Sequence, residues 1–431
     1  MKNARQIAFE ILNKIQRDNS YSNILLDSKL NDSCLSEVDK AFASALVYGV
    51  IERRITLDFE LKQYLTQPLK KLKPQVLTVL RLGAFQLLYM DKIPASAAIN
   101  ESVKLVKSNG AAFASGLVNA VLRKVNNNGL TSTDDLSVKY SAPKWLCDLW
   151  IDSYGENNAI RLLESSFGST QVSLRVNTLK TTAEELILTL HEEGIDAAKT
   201  DLNDAVCVKN SGALHKTKAY ANGLFHVQDL SSQYCCKALD VKENETVLDI
   251  CSAPGGKSFT LSQLMNNTGM VYSYDIYDHR IKLINDGAVR LGLTNISAMV
   301  NDGAEYNPSV PLADKILCDV PCAGLGVIRK KPEIRYKDST DVDNLPELQY
   351  SILCISAGYL KKGGTLVYST CSLNPKENEE IINRFLAEHS DFVSVKVLPE
   401  LKRYSDDTDY ITLMPHLHNC DGFFISALTR I

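Results

Sequence analysis

From Glu245 onward, apolar segments of strand length alternate with segments of helical period, and this rhythm constrains the fold of the chain more than any other feature. Alternating strands and helices close as a mostly parallel sheet with helices on both faces. The strands read as TVLDIC, GMVYSYD, ISAMV, KILCDV and GGTLVYST, with FFISAL as a late strand, and helices are predicted near 256–265, 279–292, 346–361 and 375–388. In such sheets a ligand sits beyond the carboxyl ends of the strands, where the strand order reverses. Two cysteines, Cys322 and Cys371, follow strands at that end.

The preceding sequence has other periods. Ala4, Ile7, Ala8, Ile11, Leu12 and Ile15 fall on one helical face. Pro74 opens a second stripe through Val76, Leu80, Gly83, Ala84, Leu87 and Leu88; a third follows Pro94, and a fourth runs from Phe113 to Leu122. VNNNGLTSTDD breaks the pattern with linker composition, and a short helix around PKWLCDLWIDSYG follows. The strand in QVSLRVNTLK, the helix in TAEELILTLHEEG and the segment GLFHVQDLS suggest a small α+β connector. Three domains are therefore expected: an all-α domain over 1–135, a linker helix with a small α+β connector over 136–235, and an α/β Rossmann-like domain over 236–431.

Composition narrows the class. At 45% hydrophobic and 23% charged residues the chain has the balance of a soluble globular protein. It shows no run of about eighteen apolar residues, and MKNARQIAFEILNKIQ lacks an apolar signal core, so a cytoplasmic protein without membrane contact is expected. Eleven cysteines with no C-x-x-C pair, and seven scattered histidines, read as free thiols and argue against a structural metal. Cys235, Cys236, Cys318 and Cys354 lie among apolar residues and read as small buried hydrophobes. Net charge is +5 over residues 1–135 and −9 over the remainder, the asymmetry of a nucleic-acid contact module joined to an acidic body.

VLDICSAPGGKS is a first strand with the turn that leaves it. Gly255 and Gly256 allow close backbone approach, and the following helix offers free N–H groups. Ile250 stands where a phosphate loop needs its leading glycine, and no G-x-G-x-x-G occurs, which argues against a triphosphate or NAD site. Asp275 closes the second strand, where a carboxylate accepts ribose hydroxyls, and Asp302 closes the third, within reach of an adenine amine. Either aspartate alone would read as a turn residue; with the glycine turn they point to S-adenosylmethionine.

Beside such a cofactor, two thiols have a chemical use. C5 of cytosine is too weak a nucleophile to accept a methyl group until a nucleophile has added at C6, and a thiolate both attacks well and leaves well. One cysteine can form that adduct and a second group can help dissolve it. Asp319, three residues before Cys322, can hold the N3 and amino edge of the base. Asn374, Pro375 and Glu377 are expected to form a helix cap that positions the loop of Cys371. A methyltransferase acting on an exocyclic amine would want an aromatic residue in Asp319-Val320-Pro321-Cys322, and none is present.

DICSAPGGKS, DVPCAGLGVIRKKPEIRY and YSTCSLNPKENEEII together resemble the RNA cytosine-C5 methyltransferases. The resemblance implies Cys371 as nucleophile, Cys322 as release group and Asp319 as base-edge residue. It implies S-adenosylmethionine bound by Cys251, Ser252, Ala253, Pro254, Gly255, Gly256, Lys257, Asp275, Asp302 and Asp319. RLGAFQLLYMDKIPASAAINESVKLVK and FASGLVNAVLRKV are similar to the NusB-type RNA-binding fold. That fusion resembles the Fmu/Sun type of bacterial 16S ribosomal RNA methyltransferase, which implies 16S rRNA, naked or in a partly assembled small subunit, as partner; a monomer is expected. Val320, Ala323 and Ser252 depart from the more usual residues without removing a reactive group. IRKKPEIRY is a basic loop whose Arg329, Lys330, Lys331 and Arg335 are expected on RNA phosphates. The reading from another class is a protein that only grips RNA, which would need neither thiol.

Overall fold

The computed structural model describes residues 3–18, 22–168, 171–209, 214–404 and 408–431. The chain forms two compact units. One comprises Met1–Phe167 with Ile328–Lys337; the other comprises Gly168–Val327 with Asp338–Ile431.

The first unit is helical, as its periodicity predicts. Ile7, Ala8, Ile11 and Leu12 of helix Ala4–Asp18 are buried with Leu46, Leu80, Val106 and Leu122 from later helices. Pro74 begins helix Pro74–Tyr89, where its missing N–H breaks no helical bond. Phe113, expected on an apolar stripe, is instead exposed on a single 3₁₀ turn, with the Lys73 ammonium 4.9 Å from its ring centre. The unit extends beyond the boundary expected at residue 135, because helices Lys144–Tyr154 and Glu156–Ser165 belong to it.

Arg335 corrects an expectation. Its side chain is buried, not presented to phosphates. Its guanidinium donates to the carbonyls of Glu52 at 3.2 Å, Tyr140 at 3.3 Å and Ser166 at 3.0 Å. These carbonyls lie at or just past the C-terminal ends of helices Glu37–Glu52, Leu136–Lys139 and Glu156–Ser165. Helix ends leave carbonyls unsatisfied and carry partial negative charge, so one planar cation with five donors can close all three. The Phe167 ring lies 4.9 Å from the guanidinium carbon, and the neighbouring Tyr336 hydroxyl donates to Ile51 O at 2.7 Å.

In the second unit the connector is an antiparallel sheet of β1 (Val172–Val176), β2 (Asp196–Lys199), β3 (Ala205–Lys209) and β4 (Phe225–Val227), in the order β2-β3-β1-β4. Thr182 and Glu185 form a capping box at the start of helix Ala183–Glu192. Asn177 fastens the connector, its buried amide donating to Gly223 O at 2.8 Å and Leu291 O at 2.9 Å.

The main sheet contains β5 (Thr246–Asp249), β6 (Met270–Asp275), β7 (Ile296–Val300), β8 (Ala313–Asp319), β9 (Leu360–Thr370), β10 (Phe392–Val395) and β12 (Phe423–Arg430), with β11 (Ile411–Leu413) paired to β12. The order is β10-β12-β9-β8-β5-β6-β7. β5 pairs in parallel with β6 on one side and β8 on the other, so the chain direction across the sheet reverses at β5. β12 runs antiparallel to β9 and supports the strand that leads to Cys371.

Replacing Arg335 by alanine orphans these buried carbonyls. The Arg335→Ala protein is expected to lose about 3 kcal/mol of stability in urea unfolding, with Arg335→Lys recovering only part. An unchanged midpoint would contradict the capping role.

Candidate active site

The reversal point is built around the turn after β5. Gly255 has φ +104°, and a Cβ there would stand 2.5 Å from the Phe259 ring, so a side chain is excluded by both conformation and space. Ser252 ties the turn to the neighbouring strand: its N–H and hydroxyl donate to Tyr274 O at 2.8 and 2.9 Å. Helix Gly256–Leu264 then leaves the turn.

Asp249 closes β5 and is fully buried. Ser258 donates to its Oδ2 at 2.6 Å, and Oδ1 has no hydrogen-bond partner among the described residues. Burial pushes its carboxyl up to about 7, against the opposing pull of the Ser258 hydrogen bond. A cavity of about 220 Å³ opens here, lined by Asp249, by Cys251, Ser252, Ala253, Pro254, Gly256 and Lys257 of the turn, and by Asp319. Val227, at the end of the connector strand β4, and Gln228, Asp229 and Ser232 after it complete the wall; the sequence pattern places this segment in the connector and assigns none of them to the site.

Asp319 ends β8 and both of its oxygens are engaged. Lys257 Nζ donates to Oδ2 at 2.6 Å and Ser369 Oγ to Oδ1 at 2.9 Å. Burial disfavours the Lys257 ammonium, but the Asp319 carboxylate and the surrounding thiols outweigh it, and the lysine lies well above its ordinary value. Each carboxylate oxygen keeps a further lone pair for a ligand.

β8 and β9 pair in parallel as far as Asp319↔Ser369. Cys322 lies three residues past the end of one strand and Cys371 two past the equivalent position of the other, so the register brings the thiols together. Their sulfurs are 3.1 Å apart, and both residues are half-buried. The Cys322 thiol lies well above its ordinary value, first through its hydrogen bond with Cys371 and next because it is buried. Cys235, Cys236 and Cys318 are buried as expected, whereas Cys354 is half-buried.

Not every expected residue lines the cavity. Asp275 is buried at the end of β6, its Oδ1 accepting from Tyr277 N at 3.1 Å with Arg280 at 3.6 Å. Asp302 follows β7 and accepts from Ala304 N at 2.9 Å. Each thus makes the turn contacts its position suggests, while the cavity wall takes neither. Lys331 is exposed, and Arg329 and Lys330 are half-buried. The expected cap also differs: Asn374 accepts from Lys376 N at 3.3 Å, but Glu377 turns away to the two cysteine loops.

Comparison with known proteins agrees with this anatomy. Residues 236–429 match the family described as 16S rRNA methyltransferase RsmB/F, residues 2–127 the NusB family, and residues 142–215 the ferredoxin-like domain of RsmF/B-like methyltransferases. The probable ribosomal RNA small subunit methyltransferase B of Bacillus subtilis is 40% identical over 99% of this chain and 98% of its own. That of Synechocystis is 36% identical over the full length of both. Among solved structures, a methyltransferase homolog from Pyrococcus horikoshii is 30% identical over 69% of this chain and 98% of its own, with a TM-score of 0.61.

The perturbed Asp249 makes stability depend on pH. Its folded value lies above its ordinary 3.8, so its contribution is complete below that value and is lost as pH rises through about 7. Asp249→Asn, neutral throughout, removes this dependence. Between about pH 5 and pH 8, without cofactor, the native protein is expected to lose about 3 kcal/mol relative to Asp249→Asn in chemical denaturation. Parallel pH profiles would show that the carboxylate is not desolvated.

Proposed function

The chain belongs to the RsmB/F family of 16S rRNA methyltransferases, and from that premise we propose that it methylates C5 of a cytosine in small-subunit ribosomal RNA through a covalent adduct on Cys371. The observation that carries this reading is the thiol pair, 3.1 Å apart at the ends of adjacent strands and next in chain to the Asp319 site. RNA binding alone needs no such pair.

S-adenosylmethionine is the methyl donor in this reading. The residues suit it: the cavity joins a glycine turn to the carboxyl groups of Asp249, Asp319 and Asp229, a set of acceptors fit for a ligand with ammonium and sulfonium charge. Cys251 to Lys257 would hold it; Asp275 would meet the ribose and Asp302 the adenine at the neighbouring strand ends, outside the cavity wall. When bound, it supplies an electrophilic methyl group.

The residues of the chain supply the rest. The Cys371 thiolate attacks C6, forming the S–C6 bond and shifting the C5–C6 π electrons toward C5. Asp319 holds the N3 and amino edge by hydrogen bonding, and the Lys257 ammonium beside it offsets the charge that the thiolate brings to the ring. After C5 has gained the methyl group, its proton leaves to a base. The C5–C6 double bond then re-forms and the S–C6 bond breaks, returning Cys371 to thiolate. Cys322, with its sulfur 3.1 Å from that of Cys371, is near enough to assist release. The target base must be unstacked, since C6 is not approachable inside a helix. Arg329, Lys330 and Lys331 are the proposed phosphate contacts, without the buried Arg335. The proposed catalytic and cofactor residues all lie in one unit of the chain; in this reading the enzyme is cytoplasmic and acts as a monomer.

Wild type, Cys322→Ala and Cys371→Ala incubated with 16S rRNA and S-adenosylmethionine test the assignment. Cys322→Ala is expected to accumulate a protein–RNA species that survives a denaturing gel, and Cys371→Ala to form none and transfer no methyl. Accumulation on Cys371→Ala would exchange the roles. Neither adduct nor methyl transfer with wild type would favour a protein that only binds RNA.

A further inference from the structure

Glu377 is fully buried, six residues past Cys371. Its Oε1 accepts from the Ala323 N–H at 2.7 Å, immediately after Cys322, and from Gln349 Nε2 at 2.9 Å. Its Oε2 accepts from the Ser372 hydroxyl, immediately after Cys371. One carboxylate thus bonds to the residue following each cysteine. Gln349 also donates to Pro321 O at 2.9 Å, on the other side of Cys322.

We infer that Glu377 is the positioning residue that keeps the two thiols at reacting distance, acting through Ala323 and Ser372. The inference rests on reading Cys322 and Cys371 as the reacting pair. The chemistry favours such a role over simple packing. The three donors are neutral, and burying a carboxylate among neutral groups costs free energy that an apolar side chain of similar size would not. What the carboxylate adds is acceptor capacity in two directions, which is what joining two loops requires.

The remaining contacts hold the loops but do not replace this link. Gly326 N donates to Cys371 O at 2.9 Å, and Gly422 N donates to Gly326 O at 2.9 Å. A Cβ on Gly326 would stand 1.9 Å from Gly422 O, so these backbones are already as close as they can come. They fix the base of the Cys322 loop, four residues beyond the sulfur. Glu377 fixes it at the residue next to the sulfur.

A thiol cross-linking assay reads this geometry without RNA or cofactor. Dibromobimane becomes fluorescent only when both arms have reacted with neighbouring thiols, and a Cys322→Ala control subtracts any other pair. Glu377→Ala is expected to bridge Cys322 and Cys371 about tenfold more slowly than wild type and to lower kcat for methyl transfer about 100-fold, the scale of a 1 Å misplacement. The KM for S-adenosylmethionine should stay within about twofold, because the binding turn is not part of the link. Glu377→Gln keeps an acceptor for Ala323 and Gln349 and can donate to Ser372 Oγ, so it should restore most of both rates.

Wild-type cross-linking and kcat in folded Glu377→Ala would overturn the inference, as would a loss of rate matched by an equal loss of cofactor binding. Should Glu377→Ala fail to fold, Ser372→Ala decides: slower bridging supports the link, and bridging at the wild-type rate overturns it. A wild-type protein that transfers no methyl group would remove the proposed function, while the cross-linking result would still decide the role of Glu377.

Discussion

The parallel pairing of β8 with β9 is the constraint on which the rest of the site depends. Ladder hydrogen bonds fix the register to Asp319↔Ser369, and both cysteines follow within three residues of that pair. Ser369 steadies Asp319, Asp319 holds Lys257, and the next residues of each strand bring in a cysteine. A slip of one residue would turn alternate side chains to the opposite face of the sheet and separate these groups. The antiparallel partner β12 on the far side of β9 buries the ladder and makes such a slip costly.

Around this frame lie three carboxylates, Asp249 and Glu377 fully buried and Asp319 half-buried, and each is treated differently. Asp319 is paired with an ammonium, Glu377 is met by neutral donors, and Asp249 keeps one oxygen without a partner. An ionised carboxylate away from water is costly unless its oxygens are bonded, so these arrangements mark different uses. In the proposed reaction the pair is a charge set against the base, the donor-satisfied group is a mechanical link, and the unsatisfied group would face a cationic ligand. The helical unit applies the same rule with opposite sign, placing the Arg335 cation among the carbonyls of helix ends.

Much of this was legible in the sequence. Period alone separated helical from strand–helix regions, and β7 coincides with ISAMV because a short apolar run leaves little freedom in its limits. The glycine turn, Asp319 and both cysteines were visible because each follows a strand at the sheet's carboxyl edge. Three things were not. Arg335 reads like its basic neighbours, since a one-dimensional pattern does not reveal that the chain returns to the helical unit at Ile328. Gln228, Asp229 and Ser232 lie twenty or more residues from the glycine turn and reach the cavity only through packing of the connector. Glu377 carried a local signal, the spacing of a capping box, but its partners Ala323 and Gln349 are distant in sequence and won the competition for its oxygens.

The central claim is that Cys371 becomes bonded to the cytosine ring. It is tested most directly with a 16S rRNA transcript containing 5-fluorocytidine, whose C5 fluorine cannot leave as a proton and so halts the reaction before the thiol is released. Digestion and mass spectrometry of the trapped complex identify the linked residue. The account predicts that the nucleotide is found on the peptide carrying Cys371 and only when S-adenosylmethionine is present. A nucleotide on the peptide carrying Cys322, or methylated RNA with no linked peptide at all, would contradict it.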